Sequence, residues 1–201
     1  MLNRIYIFIL LLLMGCSQVI ASDQRVTALQ IKRIDEAVCK KMIEKQIMHL
    51  KLKNVNSIKD IRLDNESYEI QSGSKSFFFV SINRNSDDGN STTCSLLLFD
   101  KSGHLKNAFD VAGPDHKSRY WSCDYMEAVS FKDYYTDGSI KIIAIYNMTP
   151  PSNEHFLLPV ITKLDIVRSS LVIDESLTTA LEDANVNTIS EVRRYLKKHK
   201  K

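Results

Sequence analysis

The residues from Thr93 to Val111, TCSLLLFDKSGHLKNAFDV, decide the fold of this 201-residue chain. Two apolar-rich segments, 93–100 and 104–111, lie on either side of a short polar turn. Gly103 in that turn can adopt the left-handed backbone conformation that tight hairpin loops need. The stretch therefore predicts two antiparallel strands and, with them, a domain built on a β-sheet.

Segments on both sides of this hairpin also have strand character. Alternation of apolar and polar residues, or a short apolar run bounded by turn residues, is typical of strands. The segments with this pattern are 58–64, 67–72, 76–83, 120–131, 139–147 and 157–167. Together with the hairpin they predict a mainly antiparallel sheet of about seven or eight strands.

Helices are predicted at both ends of the domain. Apolar residues recur at steps of three or four between positions 24 and 52, which predicts one long N-terminal helix. The clearest of them are Ile31, Ile34, Val38 and Met42. Near the C-terminus, Asp174 can cap a short helix, and TISE (188–191) matches a capping box that begins another. The predicted fold is a single α+β domain over residues 22–201.

The first 21 residues have the composition of a secretory signal. Arg4 precedes an apolar run over positions 5–14, and small residues follow. A membrane-spanning helix needs about 20 apolar residues, so this run is too short to be one. The sequence therefore predicts export to an oxidising compartment.

Two processing sites are compatible with this leader. The stretch LMGC (13–16) resembles a bacterial lipobox, and the resemblance implies lipidation of Cys16 as the first mature residue. In such lipoproteins Ser17 after the cysteine implies anchoring to the outer membrane, facing the periplasm. The alternative is cleavage after Ala21, which also leads to the periplasm. We favour the lipoprotein.

Charge and motif content argue against several classes of protein. The chain has 27 basic and 24 acidic residues, a balance too even for a polyanion-binding domain, and we expect no nucleic-acid partner. Contact with a membrane is expected only through the lipid anchor. Six glycines cannot readily build a phosphate-binding loop, and the five histidines have no metal-ligand spacing. We expect no cofactor and no nucleophile of a known catalytic motif.

Three cysteines remain after the leader, so a single disulfide would leave one thiol over. Cys94 and Cys123 lie in predicted strands, whereas Cys39 lies on the apolar side of the predicted helix. We therefore predict a Cys94–Cys123 disulfide, although sequence alone does not fix the connectivity.

The stretch DYYTDG (133–138), followed by an apolar strand, resembles the calcium loop of FG-GAP-type repeats. The resemblance implies Asp133 and Asp137 as metal ligands. The third ligand position holds Tyr135 and a later one holds Lys141, which give too few oxygens and too little negative charge for calcium. We interpret the stretch as a hairpin corner in which Gly138 provides the bend.

Two loops are the candidate binding surfaces. GPDHKSRYW (113–121) and TPPSNEHF (149–156) mix aromatic and charged residues. Trp, Tyr and Arg are the residue types that dominate protein interfaces. The candidate contact residues are Asp115, Arg119, Tyr120, Trp121, Glu154 and His155. Trp121 has an alternative interpretation, as a core residue packed against the predicted disulfide.

The combination of small size, export, an α+β plan and no catalytic motif resembles the periplasmic immunity proteins of type VI secretion toxins. The resemblance implies an inhibitor that binds a cognate toxin and occludes its active site without turnover. One alternative is an envelope hydrolase whose site is assembled from scattered carboxylates such as Asp124, Glu127 and Asp133. Another is a ligand-binding envelope lipoprotein.

Overall fold

The computed structural model describes residues 29–52, 55–86, 89–116, 119, 121–152 and 154–199. The predicted leader, with Cys16 and the alternative cleavage after Ala21, lies outside the described residues, and so does Tyr120. Asp133 is described by its backbone alone.

Strands make up most of the described structure. The strands are β1 (Gln30–Arg33), β2 (Ile61–Ser72), β3 (Lys75–Asn85), β4 (Thr92–Asp100), β5 (Leu105–Ala112), β6 (Ser122–Tyr134), β7 (Ile140–Thr149), β8 (Phe156–Asp165) and β9 (Ser170–Ile173). The helices are α1 (Glu36–Gln46), α2 (Glu175–Asp183) and α3 (Ile189–Lys198), with 3-10 turns at Ile47–His49 and Ile58–Asp60.

The strands form two antiparallel meanders that pack face to face. The first sheet has the order β1-β2-β3-β4-β5, and the second has the order β6-β7-β8-β9. Apolar side chains from both inner faces form one buried cluster, for example Phe79 and Leu96 against Ile142 and Val160. Burial of these side chains between the sheets is the main stabilisation of the fold.

Helices cover the outer faces of both sheets. The buried residues Met42 and Ile43 of α1 pack in one cluster with Val80 and Leu97 of the first sheet. On the second sheet, Leu181 of α2 and Val192 of α3 belong to a separate cluster with Ile143, Ile145 and Ile161. The domain therefore has four layers, in the order helix, sheet, sheet, helices. Within the described residues, no helix has both the length and the apolar composition needed to cross a bilayer.

The fold prediction is wrong at its first element, because residues 24–52 do not form one long helix. Residues 30–33 are instead the edge strand β1, with Ile31 opposite Ile70 of β2. The helix begins only after Asp35, whose carboxylate accepts a hydrogen bond from the Ala37 amide (2.8 Å) and caps it. Ile31 and Ile34 are compatible with both a helical and a strand period. Pairing with β2 selects the strand. The structure also has nine strands in two sheets instead of seven or eight in one.

The two short C-terminal helices are present, with the caps that the sequence indicates. Asp174 accepts a hydrogen bond from the Leu177 amide (3.1 Å) at the start of α2. Thr188 and Glu191 form the capping box of α3. Each capping signal lies within a few residues of the helix start, so it can be recognised in the sequence without knowledge of the tertiary structure.

The predicted cysteine pair lies at disulfide distance between the sheets. Cys94 of β4 and Cys123 of β6 are joined with their Cα atoms 5.6 Å apart, and both are fully buried. Cys39 is a free, buried thiol on α1, and burial raises its pKa. The bond links the two sheets beside Ala112, the last residue of β5, which is paired with Cys94.

Polar side chains of the first sheet also contact the irregular main chain of β6. The register of β6 shifts between Cys123 and Tyr125 and again between Met126 and Ala128, which leaves main-chain groups outside the regular ladder. Asn83 donates to the Cys123 carbonyl (2.5 Å), and Arg62 donates to the Asp124 carbonyl (2.6 Å). These bonds satisfy the distorted strand and fix the sheets against each other.

Asp64 makes the same kind of contact from a bulge in β2. Its carboxylate accepts hydrogen bonds from the Ser81 hydroxyl (2.6 Å) and from the Met126 amide of β6 (3.3 Å). Burial raises the pKa of this carboxyl, and the Ser81 hydrogen bond only partly offsets that effect. The folded protein therefore holds this proton more tightly than the unfolded chain does.

We expect Asp64→Asn to change how stability depends on pH. In the wild type, Asp64 adds most to the free energy of unfolding at low pH, where it is protonated in both the folded and the unfolded protein. This contribution falls as pH rises from the pKa of Asp64 in the unfolded chain to its higher pKa in the folded protein. The loss is about 1.4 kcal/mol for each tenfold difference in proton affinity between the two states. The variant keeps an acceptor for Ser81 but has no proton to lose. Urea unfolding between pH 3 and 8 should show wild-type stability falling relative to the variant. A constant difference would contradict the assignment.

Candidate functional site

The two loops that the sequence singles out meet at one end of the second sheet. Ser122 at the start of β6 pairs with Thr149 at the end of β7, so Trp121 and residues 150–152 lie at the same end of the sheet. The Trp121 and Phe156 rings contact edge to face with their centroids 5.0 Å apart. Trp121 is 39% exposed, so it lies at the rim of the core instead of inside it beside the disulfide.

A pocket of about 210 Å³ opens between this aromatic pair, β8 and α2. Its apolar lining includes Trp121, Phe156, Leu157, Pro159, Leu181 and Val186. Its polar lining consists of Arg119, Glu182, Asn185 and Asn187. A concave apolar surface with a few oriented polar groups is the usual form of a binding site.

Arg119 fixes the loop to α2. Its guanidinium donates to Glu182 (2.7 Å) and Glu175 (2.8 Å), and it also contacts the His116 ring nitrogen (3.2 Å). Only 2% of the Arg119 side chain is exposed. Burial, reinforced by the charge of Arg119, lowers the pKa of His116. Arg119 lines the pocket, but the expectation that its side chain is exposed is wrong, because the guanidinium is buried in ion pairs with Glu175 and Glu182. Its contact with a partner stays a prediction.

Gly113 allows this loop to turn close to the first sheet. Its φ is +122°, and a Cβ at this position would lie 2.5 Å from the Thr93 Cα atom. Its amide donates to the Arg119 carbonyl (2.6 Å), which closes the loop. A residue with a side chain would meet both a strained backbone and a clash, so glycine is required here.

Asp115 is likewise an internal residue. Its carboxylate accepts from the fully buried Arg84 (2.9 Å) and from the Thr93 hydroxyl (3.1 Å), and only 6% of its side chain is exposed. The expectation that the Asp115 side chain is exposed is therefore wrong, and its contact with a partner stays a prediction. Its partner Arg84 lies 31 positions earlier in the chain, so no local pattern reveals the pair.

Glu154 and His155 are exposed beside the pocket, as the sequence indicates for contact residues. The Nδ1 atom of His155 lies 3.0 Å from the Thr149 hydroxyl and 3.4 Å from the Asp124 carboxylate. Thr149 donates to that same carboxylate (2.6 Å). Because one imidazole nitrogen and the carboxylate share the Thr149 hydroxyl, the arrangement is a surface hydrogen-bond cluster and not a relay that activates a nucleophile.

The carboxylates of the hydrolase alternative lie along β6. Asp124 takes part in the cluster with His155, and Glu127 is exposed three positions further along. Asp133 pairs through its backbone with Lys141 at the far end of the strand. Asp133 lies nine positions beyond Asp124, about 30 Å along an extended strand, so these two residues are too far apart for a carboxylate pair.

The acidic turn at that far end is a hairpin corner. Asp137 accepts from the Ser139 amide (3.1 Å) and hydroxyl (2.6 Å) and from the Lys163 ammonium. The Lys163 and Ser139 hydrogen bonds lower the pKa of Asp137. The Lys141 ammonium lies over the Tyr135 ring, 4.5 Å from its centroid. The Lys163 ammonium pairs with the Asp137 carboxylate, and no group of three or more potential metal ligands exists among the described residues.

Sequence reasoning missed the half of the pocket that β8 and α2 provide. Leu157, Pro159, Leu181, Glu182 and Asn187 come from segments that carry no binding motif. Pro159 is the one usable signal, since proline inside a strand marks a sheet edge. Comparison with protein-family models, with curated proteins and with solved structures finds no match for this chain.

Proposed function

We propose that this protein is an exported inhibitor, an immunity protein that binds a toxin in the periplasm and blocks it without catalysis. The observation that supports this proposal is the rigid binding face at the end of the second sheet. We call this face, formed by Trp121, Phe156, Leu157 and the exposed residues Glu154 and His155, the pocket face.

The pocket face is organised before any partner arrives. The Arg119 ion pairs hold its first loop on α2, and Phe156 packs against the inner core. Rigid side chains lose little conformational entropy on association, so more of the contact energy appears as affinity. A half-exposed tryptophan beside an apolar pocket is the kind of residue that dominates binding energy in protein interfaces.

The proposal predicts a one-to-one complex with a toxin of the same bacterium, formed through the pocket face. Trp121→Ala should raise the dissociation constant by about 30-fold, equivalent to about 2 kcal/mol. The complex would be isolated with the exported protein as bait, and affinity would be measured by calorimetry. Protection of cells against the periplasmic toxin should fall in parallel.

Tyr134→Ala is the matched control. Tyr134 has similar exposure (40%) and lies at the opposite end of the same strand, β6. Its replacement should leave both affinity and protection unchanged. Equal effects of the two variants, or a bound partner that stays fully active in the complex, would refute the proposed inhibition through this face.

A further inference from the structure

We propose that the pocket face recognises an extended segment of the partner protein, which pairs with the open edge of β8 as an added strand. This inference rests on the proposed function, because it names the part of the partner that is bound. It follows from the way in which β8 is paired along its length.

Among the described strands, only Thr162–Leu164 near the end of β8 has a strand on each side. On one side β7 pairs with β8 from Phe156 to Leu164, but on the other side β9 pairs only with Thr162–Asp165. The sheet order ends with β9, so no described strand lies beside the outer edge of residues 156–161. An open strand edge presents main-chain donors and acceptors to any chain that can align with it.

The start of α2 satisfies this edge at one residue. The Asp174 amide donates to the Ile161 carbonyl (2.8 Å), and the Ile161 amide donates to the Thr178 hydroxyl (3.0 Å). The main-chain groups of Ile161 therefore point away from β7. Because this direction alternates along a strand, the main chains of Pro159 and Leu157 also point outward.

Leu157 and Pro159 both line the pocket, and we infer that their outward main-chain groups face it. Leu157 supplies an amide and a carbonyl, and Pro159 supplies a carbonyl only. These groups are about 6.6 Å apart along the strand, which is the spacing of alternate residues in an extended chain. An extended main chain offers a donor and an acceptor at the same spacing, so it complements this edge.

The pocket around the edge fits one apolar side chain of such a segment. Trp121 and Phe156 bound it at one end, and Leu181 and Val186 of the α2 side bound it at the other. Its volume of about 210 Å³ leaves room for a leucine or phenylalanine side chain. Recognition by strand addition combines main-chain hydrogen bonds with a pocket for an alternate side chain, and both are present here.

Pro159 limits the edge to a short segment. Pro159 has no amide to donate, so the row of main-chain hydrogen bonds to an added strand is interrupted there. The next outward residue, Ile161, is already bonded to Thr178 of α2. A limited edge is also protected against open-ended pairing of many chains. We therefore expect about three main-chain hydrogen bonds to the bound segment and a single side-chain anchor.

A peptide selection tests this mode of binding without knowledge of the toxin. A phage library of linear heptapeptides would be selected on the exported protein, and a binder would be synthesised with one N-methylated amide at each position. In an added strand, every second amide of the peptide faces β8. Strand addition therefore predicts that N-methylation weakens binding about tenfold or more at every second peptide position and has little effect at the positions in between. Bound peptide should also slow hydrogen exchange of the Leu157 amide at least tenfold, whereas the Lys163 amide, already paired with β9, should not change.

The remaining outcomes overturn the proposal. They are loss of binding at consecutive methylated positions or at none, an unprotected Leu157 amide, and selection of no peptide whose binding depends on Trp121. Protection of Leu157 by dimerisation at high protein concentration, measured by sedimentation, would also overturn it, because the occupant would be a second copy. A toxin that is neutralised while Leu157 stays unprotected would refute strand addition but leave the proposed function in place.

Discussion

Replacement of Arg84 by methionine is expected to lower the free energy of unfolding by about 3–5 kcal/mol. The Arg84 side chain is fully buried, and its guanidinium donates to Asp110 (2.9 Å) and Asp115 (2.9 Å). Asp115 is 6% exposed, so the substitution leaves a buried carboxylate without its cation. Removing one partner of a buried ion pair lowers the free energy of unfolding by more than the intact pair adds to it, because the other charge stays buried without a partner.

Two control variants separate this effect from the loss of side-chain volume. Arg84→Met combined with Asp115→Asn removes the stranded charge and should recover about half of the lost stability. Arg33→Met removes an arginine whose side chain is 58% exposed and which contacts Glu66 and the Asn65 carbonyl, and it should cost less than Arg84→Met, about 1 kcal/mol. Urea unfolding followed by circular dichroism gives all three values. A cost below about 1 kcal/mol for Arg84→Met would show that the buried pair adds no stability.

The buried pair also shows why the sequence could not assign roles to its charged residues. Asp115 and Arg119 lie four positions apart in one loop and look equally exposed in the sequence. Their partners, Arg84 on one side and Glu175 with Glu182 on the other, come from distant segments. Whether a charge faces water or a buried counter-charge depends on which segments fold against it, and no local pattern carries that information.

Strands and helix caps were predictable because their signals are local. The hairpin over residues 93–111 forms β4 and β5, with Gly103 at a φ of +80° in the turn. The caps of α2 and α3 lie where Asp174 and Thr188 indicate. The N-terminal helix failed because Ile31 fits both a helical and a strand period, and only pairing with β2 excludes the helix.

The loops of the candidate site were predictable from the sequence, but the part of the pocket that β8 and α2 provide was not. Trp121 stands out because tryptophan is enriched among the residues that dominate interfaces, whereas Phe156 is only the last residue of the second candidate loop. This part of the pocket exists because the pairing of β9 with β8 stops at Thr162 and because the start of α2 lies beside β8. That arrangement is a property of the complete sheet. Pro159 marks the edge, but it cannot reveal that the edge opens into a pocket.

Loss of the Cys94–Cys123 bond is expected to lower the free energy of unfolding by about 3.5 kcal/mol. The two cysteines are 29 positions apart and join β4 of the first sheet to β6 of the second. The cross-link restricts the unfolded chain, and its removal restores the conformational entropy of that loop. The enclosed segment contains Gly113 and Arg119, so the pocket face should loosen when the bond is absent.

Cys94→Ala combined with Cys123→Ala should show this loss in urea unfolding under oxidising conditions. Dithiothreitol should lower the unfolding midpoint of the wild type toward that of the double variant. It should not change the midpoint of the double variant, because the described thiol that remains, Cys39, is unpaired in the folded protein. Faster hydrogen exchange at the Arg119 amide in the double variant would show that the bond also orders the loop. Equal midpoints for oxidised wild type and double variant would mean that packing between the sheets, and not the cross-link, holds the two halves together.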